Sequence, residues 1–121
     1  MLTCVVDIES VELFLRTAKR EIAKGNRKFV GYRVVNYDNK TVSAKQALLD
    51  LGITKEKQIW EYILKLEASD CVKIEKDRDF TRDNNDEFYV FEILVHAIRT
   101  YVKLTINAKS VLCLSFHKCR Y

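Results

Sequence analysis

Between residues 87 and 117 apolar and polar side chains alternate through three consecutive stretches, and this period of two leaves few folds open. Phe88–Val95, Tyr101–Ile106 and Val111–Phe116 read as strands. In the middle one, Val102, Leu104 and Ile106 alternate with Tyr101, Lys103 and Thr105. Such a strand is half-buried, with one face in a core and the other open to a partner. In the last one, Leu112, Leu114 and Phe116 alternate with Val111, Cys113 and Ser115, and His117 follows. The open face therefore offers a phenol, an ammonium and an imidazole. These are groups that bind an anion and move a proton.

The segments ahead of this sheet read mainly as helices. Val11, Phe14, Leu15, Ala18 and Ile22 recur at helical spacing, with Asp7 or Ser10 as cap and Gly25 as stop. Phe29–Tyr37 is β-branched and aromatic and predicts one strand, with Asp38-Asn39-Lys40 as its turn. Ser43 caps a short helix that Gly52 ends. Thr54 is placed to cap a longer one, with Ile59, Trp60, Ile63 and Leu64 inward. Glu75 to Glu87 is acidic and nearly devoid of apolar residues, as expected of a functional loop. Helices segregated from consecutive strands predict an α+β fold, with an antiparallel sheet and helices packed on one of its faces. The 121 residues suit a single domain, 1–121.

Composition narrows the function classes. Apolar residues make up 48% and charged residues 31%, the balance of a soluble globular protein. No apolar run approaches the ~20 residues of a membrane helix, and the first residues lack a secretion signal, so a cytoplasmic protein is expected. Cys4, Cys71, Cys113 and Cys119 include no C-x2-C pair. Free thiols explain them better than zinc, because Cys113 and His117 would sit about 13 Å apart along a strand. No metal or cofactor is expected. Phosphate-cradling glycine loops, H-E-x-x-H and G-x-S-x-G are absent from the sequence.

The net charge is +4. Residues 91–121 hold five bases (Arg99, Lys103, Lys109, Lys118, Arg120) against Glu92 alone, while the rest of the chain balances. Such a field attracts polyanions, RNA among them, although lysines on a sheet edge also discourage aggregation. Arg16, Lys19, Arg20, Lys24, Arg27 and Lys28 make a second basic surface, equally readable as a solvated helix face or a nucleic-acid contact. Arg33 would be a phosphate ligand if it shared a face with Tyr101.

Several short segments, in order, resemble one family. They are Phe29-x3-Arg33-x2-Asn36, Leu51-Gly-Ile-Thr54, Leu66-Glu-Ala-Ser-Asp70-x2-Lys73, Tyr101-Val-Lys103 and Val111-Leu-Cys-Leu-Ser-Phe-His117. Their order and spacing are similar to the MqsR family, RelE-like toxins of bacterial toxin–antitoxin systems that cleave messenger RNA. The resemblance implies a RelE-like fold, an mRNA substrate, a cognate antitoxin and no membrane. It carries the family's D-x-x-K lysine to Lys73 and its V-Y-x-K tyrosine to Tyr101. The S-F-K lysine falls on His117, beside Lys118. The Q-D-V-Y part of the family's W-Q-D-V-Y segment falls on Phe88-Tyr-Val-Phe91, which lacks the glutamine.

Two readings follow. In one, the chain is a metal-independent endoribonuclease with Lys73, Tyr101 and His117 as catalytic residues and Arg33, Arg99, Lys103 and Lys118 binding RNA. In the other, the same fold binds RNA or a protein partner without chemistry. The enzyme reading meets a geometric obstacle. Regular pairing across the Asn107–Ser110 loop sets Tyr101 opposite Phe116 and turns His117 to the other face, so a bulge or fray is required. The charges of Lys118 and Arg120 are expected to lower the His117 pKa.

Overall fold

The computed structural model describes residues 7–31, 34–35, 41–76 and 87–119. Cys4, Arg33, Arg120 and most of the acidic loop lie outside them. Among the described residues, three α-helices and a short 3-10 turn accompany a five-stranded mixed sheet and a separate two-stranded ribbon, an α+β arrangement.

Helix α1 (Ile8–Ala23) starts at Asp7, whose carboxylate accepts from the Glu9 amide at 3.1 Å and from the Ser10 hydroxyl at 2.8 Å. Val11, Phe14, Leu15, Ala18 and Ile22 form its buried stripe, and Gly25, at φ +88°, turns the chain out of it. Ser43 caps α2 (Ala44–Asp50) by accepting from the Gln46 amide. The third helix, α3 (Glu56–Leu64), is capped from within: the Gln58 side-chain oxygen accepts from the amides of Thr54 and Lys55. Thr54 is thus a donor to the cap, not the cap residue. Ile59, Trp60 and Ile63 are buried as expected, but Leu64 is 39% exposed.

The predicted strand Phe29–Tyr37 is broken. Strand β1 (Arg27–Phe29) joins the main sheet, whereas β2 (Val34–Val35) pairs antiparallel with β3 (Thr41–Val42). Gly31 marks the break. It adopts φ +63°, and a Cβ there would lie 2.7 Å from the Phe29 ring.

The remaining strands are β4 (Cys71–Lys76), β5 (Glu87–Val95), β6 (Ile98–Asn107) and β7 (Ser110–Lys118), and the spatial order is β1-β7-β6-β5-β4. Strands β4 to β7 pair antiparallel, as the sequence implies. Strand β1 runs parallel to β7, Arg27 opposite Val111, so the sheet is mixed and not purely antiparallel. The core lies on one face. Side chains of α1, α3 and the Leu51–Ile53 connection pack there on Tyr89, Phe91, Val95, Val102, Leu104, Val111, Cys113 and Phe116.

Two one-residue bulges interrupt the ladders. Cys71 pairs with Phe91 but Lys73 with Val90, which leaves Val72 as an extra residue in β4. Lys103 pairs with Ser115 but Leu104 with Cys113, which leaves Leu114 extra in β7. Each bulge exchanges the faces of the residues beyond it. The alternation expected in β7 changes accordingly. Val111 and Cys113 face the core before the bulge and Phe116 after it.

Candidate functional site

The face of the sheet turned away from α1 and α3 carries Lys73, Arg99, Tyr101, Lys103 and His117. In β6, Arg99, Tyr101 and Lys103 follow one another at every second position, opposite Leu94, Glu92 and Val90 of β5. Without the β7 bulge, Tyr101 would face Phe116. With it, Tyr101 faces His117, and their rings stack with centroids 5.1 Å apart and planes 17° from parallel. The β4 bulge does the same for Lys73. A regular ladder continuing from Cys71–Phe91 would set Lys73 opposite Tyr89, toward the core, whereas the bulge sets it opposite Val90 and Glu75 opposite Phe88. Lys73, Tyr101, Lys103 and His117 therefore share one face, although their strands alternate in ways that alone would separate them.

Glu75 is the residue that sequence reasoning passed over. Its carboxylate accepts from Lys73 Nζ at 2.8 Å through one oxygen and from Lys103 Nζ at 2.9 Å through the other. Lys103 also lies over the Phe88 ring, 4.9 Å from its centroid. Position 75 reads as the start of an acidic loop, and no local signal marks it. Only the β4–β5–β6 register brings it between two lysines.

These contacts set the protonation states. Hydrogen bonds from Lys73 and then Lys103 hold Glu75 below the ordinary carboxylate range. Burial raises the Tyr101 pKa, and Glu75 adds to this against the opposing pull of Lys73 and Lys103, so the phenol stays protonated. Burial lowers the His117 pKa, partly offset by the contact with the Lys118 carbonyl. The direction is the one expected, but its cause is desolvation and not the neighbouring charges. His117 Nδ1 sits 2.9 Å from the Lys118 carbonyl oxygen. A carbonyl only accepts, so Nδ1 carries the proton and Nε2 keeps a lone pair.

Arg99 lies on the same face, tied to Glu92 at 2.6 Å. Lys118 is opposite Thr100, turned to the other side of β7 from His117. Cys113, buried on the core face, and His117 lie on opposite faces and do not converge as metal ligands. Among the described residues, no group of three or more His, Cys, Asp or Glu is gathered, and no helix is long and apolar enough to cross a membrane. Trp60 is a core residue at 2% exposure, with the Arg27 guanidinium 5.8 Å from its ring centroid.

No protein-family model matches the chain, and no curated protein matches it either.

Proposed function

We propose that this chain is a metal-independent endoribonuclease with a RelE-like fold similar to the MqsR toxins, cleaving messenger RNA in the cytoplasm and held in check by a cognate antitoxin. The observation that carries the reading is the pair of bulges at Val72 and Leu114. They turn Lys73 and His117 onto the face of Tyr101 and Lys103. Bulges recur beside active sites because they re-aim a side chain.

The chemistry follows from the protonation states. Neutral His117 takes the proton of a ribose 2′-hydroxyl through Nε2. The 2′-oxygen bonds to the adjacent phosphorus, and the bond from phosphorus to the 5′-oxygen breaks. Lys73 and Lys103 stabilise the extra negative charge on the phosphorane, and the protonated Tyr101 phenol donates a hydrogen bond to one of its oxygens. Solvent protonates the departing 5′-oxygen. The products are a 2′,3′-cyclic phosphate and a 5′-hydroxyl. The glutamine that the resemblance would call for is absent, and Glu75 and His117 supply the polar groups of this face instead.

A second reading keeps the fold but not the chemistry, as a binding module for RNA or a protein partner. It is favoured by the pairing of Glu75 with both lysines and of Glu92 with Arg99, which neutralises much of the face. Incubating purified protein with RNA in EDTA, and reading both cleavage and end groups, separates the two. Cyclic phosphate and 5′-hydroxyl ends are expected. The enzyme reading fails if nothing is cleaved at any pH and Lys73→Ala and Tyr101→Ala leave cell growth unaffected.

A further inference from the structure

A cleft of about 550 Å³ opens between the second half of α1 and the β6–β7 turn, lined by Thr17, Arg20, Glu21, Lys24, Asn26 and Lys109. It lies on the helix side of the sheet, away from the face of Tyr101. Three cations converge on it from two distant parts of the chain. Two other bases of the α1 region make structural contacts: Lys19 Nζ donates to the Leu66 carbonyl at 2.6 Å, and Arg27 reaches the Ile22 carbonyl and the Trp60 ring. Among the described residues, no carboxylate pairs with Arg20 or Lys109.

The floor of the cleft holds an unusual group. The Glu21 side chain is only 8% exposed, one oxygen stands 3.8 Å from Lys24 Nζ, and the other has no hydrogen-bond partner. A buried carboxylate oxygen without a donor is costly and asks for an explanation. Its one ionic neighbour, Lys24, is 60% exposed on a long flexible stem and holds it loosely.

We propose that this cleft binds a ribose phosphate. Arg20, Lys24 and Lys109 hold the phosphate oxygens. Drawing the Lys24 ammonium to the phosphate loosens its contact with Glu21 and leaves the carboxylate in need of a donor. The ribose 2′-hydroxyl, one sugar's width from the phosphate, supplies it. A phosphate alone would satisfy the cations but repel Glu21. A neutral donor alone would satisfy Glu21 but not the cations. A ribose phosphate meets both demands, and the site does not depend on cleavage at the opposite face.

An RNA chain and a free ribonucleotide present the same chemistry, and binding measurements distinguish them. Fluorescence anisotropy with a labelled single-stranded RNA and the DNA of the same sequence is the primary assay, with an unlabelled 5′-ribonucleotide as competitor. Lys24→Ala combined with Lys109→Ala is expected to weaken RNA binding about tenfold and to reduce the log–log salt slope by about 1.4, the value for two phosphate contacts on a single strand. Glu21→Gln is expected to narrow the preference for RNA over DNA. Competition by the mononucleotide at concentrations near its own affinity assigns the site to free nucleotides; its failure to compete assigns it to RNA chains. Unchanged RNA affinity and salt slope in the double lysine variant overturn the proposal. Lys24 and Lys109 are exposed, so that variant carries the test even where Glu21→Gln fails to fold.

Discussion

Replacing Glu75 by Gln tests whether the lysines of the sheet face receive phosphate. The substitution keeps the size of the side chain and removes the charge that now occupies both ammonium groups. A phosphate entering the wild-type site must displace that carboxylate from Lys73 at 2.8 Å and Lys103 at 2.9 Å. The side chains are 47% exposed for Lys73, 26% for Lys103 and 34% for Glu75, so solvent screens both pairs. Pairs of this kind contribute ~0.2–1 kcal/mol each. Removing the competition should therefore tighten RNA binding by about 2- to 30-fold. With the carboxylate gone, the Lys103 ammonium meets phosphate without that competitor, which should also steepen the salt dependence on single-stranded RNA by about 0.7. Anisotropy with an RNA blocked by a 2′-O-methyl group at the cleaved position reads both quantities without turnover. Stability moves the other way and depends on pH. The folded-state pKa of Glu75 lies below its ordinary value. Its contribution is complete above that ordinary value and disappears as pH falls through the folded pKa. The melting difference between wild type and Glu75→Gln should thus be present at neutral pH and vanish in acid. Unchanged affinity and salt slope would refute the assignment of Lys73 and Lys103 to phosphate.

Two further substitutions test the structure. His117→Ala should reduce cleavage by ~10²–10⁴-fold with little change in binding, and the wild-type rate should follow a limb below the ordinary histidine value, since burial lowers the pKa. A lowered histidine pKa stabilises the fold above the unfolded value and loses that contribution as pH falls through the folded one, so wild type should lose this increment in mild acid and His117→Ala should not. Normal cleavage by His117→Ala would make the imidazole a bystander. Gly52→Ala should cost about 1–3 kcal/mol in chemical denaturation, because Gly52 sits at φ +80° and a Cβ there lies 3.0 Å from His96 Nδ1, which itself donates to the Leu51 carbonyl at 2.8 Å. A wild-type midpoint would show that the His96 contact is not a constraint.

What could be read from the residues were the features encoded locally. The three strands after residue 87, the Ser43 cap and the turn at Gly52 all rest on neighbours within a few positions, and all recur in the structure. So does the burial of Trp60. The features that escaped depend on partners far along the chain. Arg27–Phe29 pairs with β7 only because the sheet edge passes beside it, and no pattern in three residues announces that. Leu64 matches the helical stripe yet faces outward at the end of α3. The need for a bulge near His117 was deducible from loop length, but its position at Leu114 was not, since no glycine marks it. The second bulge, at Val72, had no signal at all, and with it went the role of Glu75. Counting charges along the chain does not show that β4 sets an acid between its own Lys73 and Lys103 of β6.

The parallel pairing of β1 with β7 bears on when this protein becomes competent. Strand β1 follows α1 directly, while β7 comes after all the other described strands in chain order, and β7 inserts between β1 and β6. Helices rest on local contacts and can form at once, but the edge of β1 has no neighbour until β7 has been made. The same strand delivers His117. A nascent chain would therefore carry helices and a waiting edge but no assembled face. On the proposed reading, a chain that cleaves messenger RNA would in this way spare the message that is still encoding it.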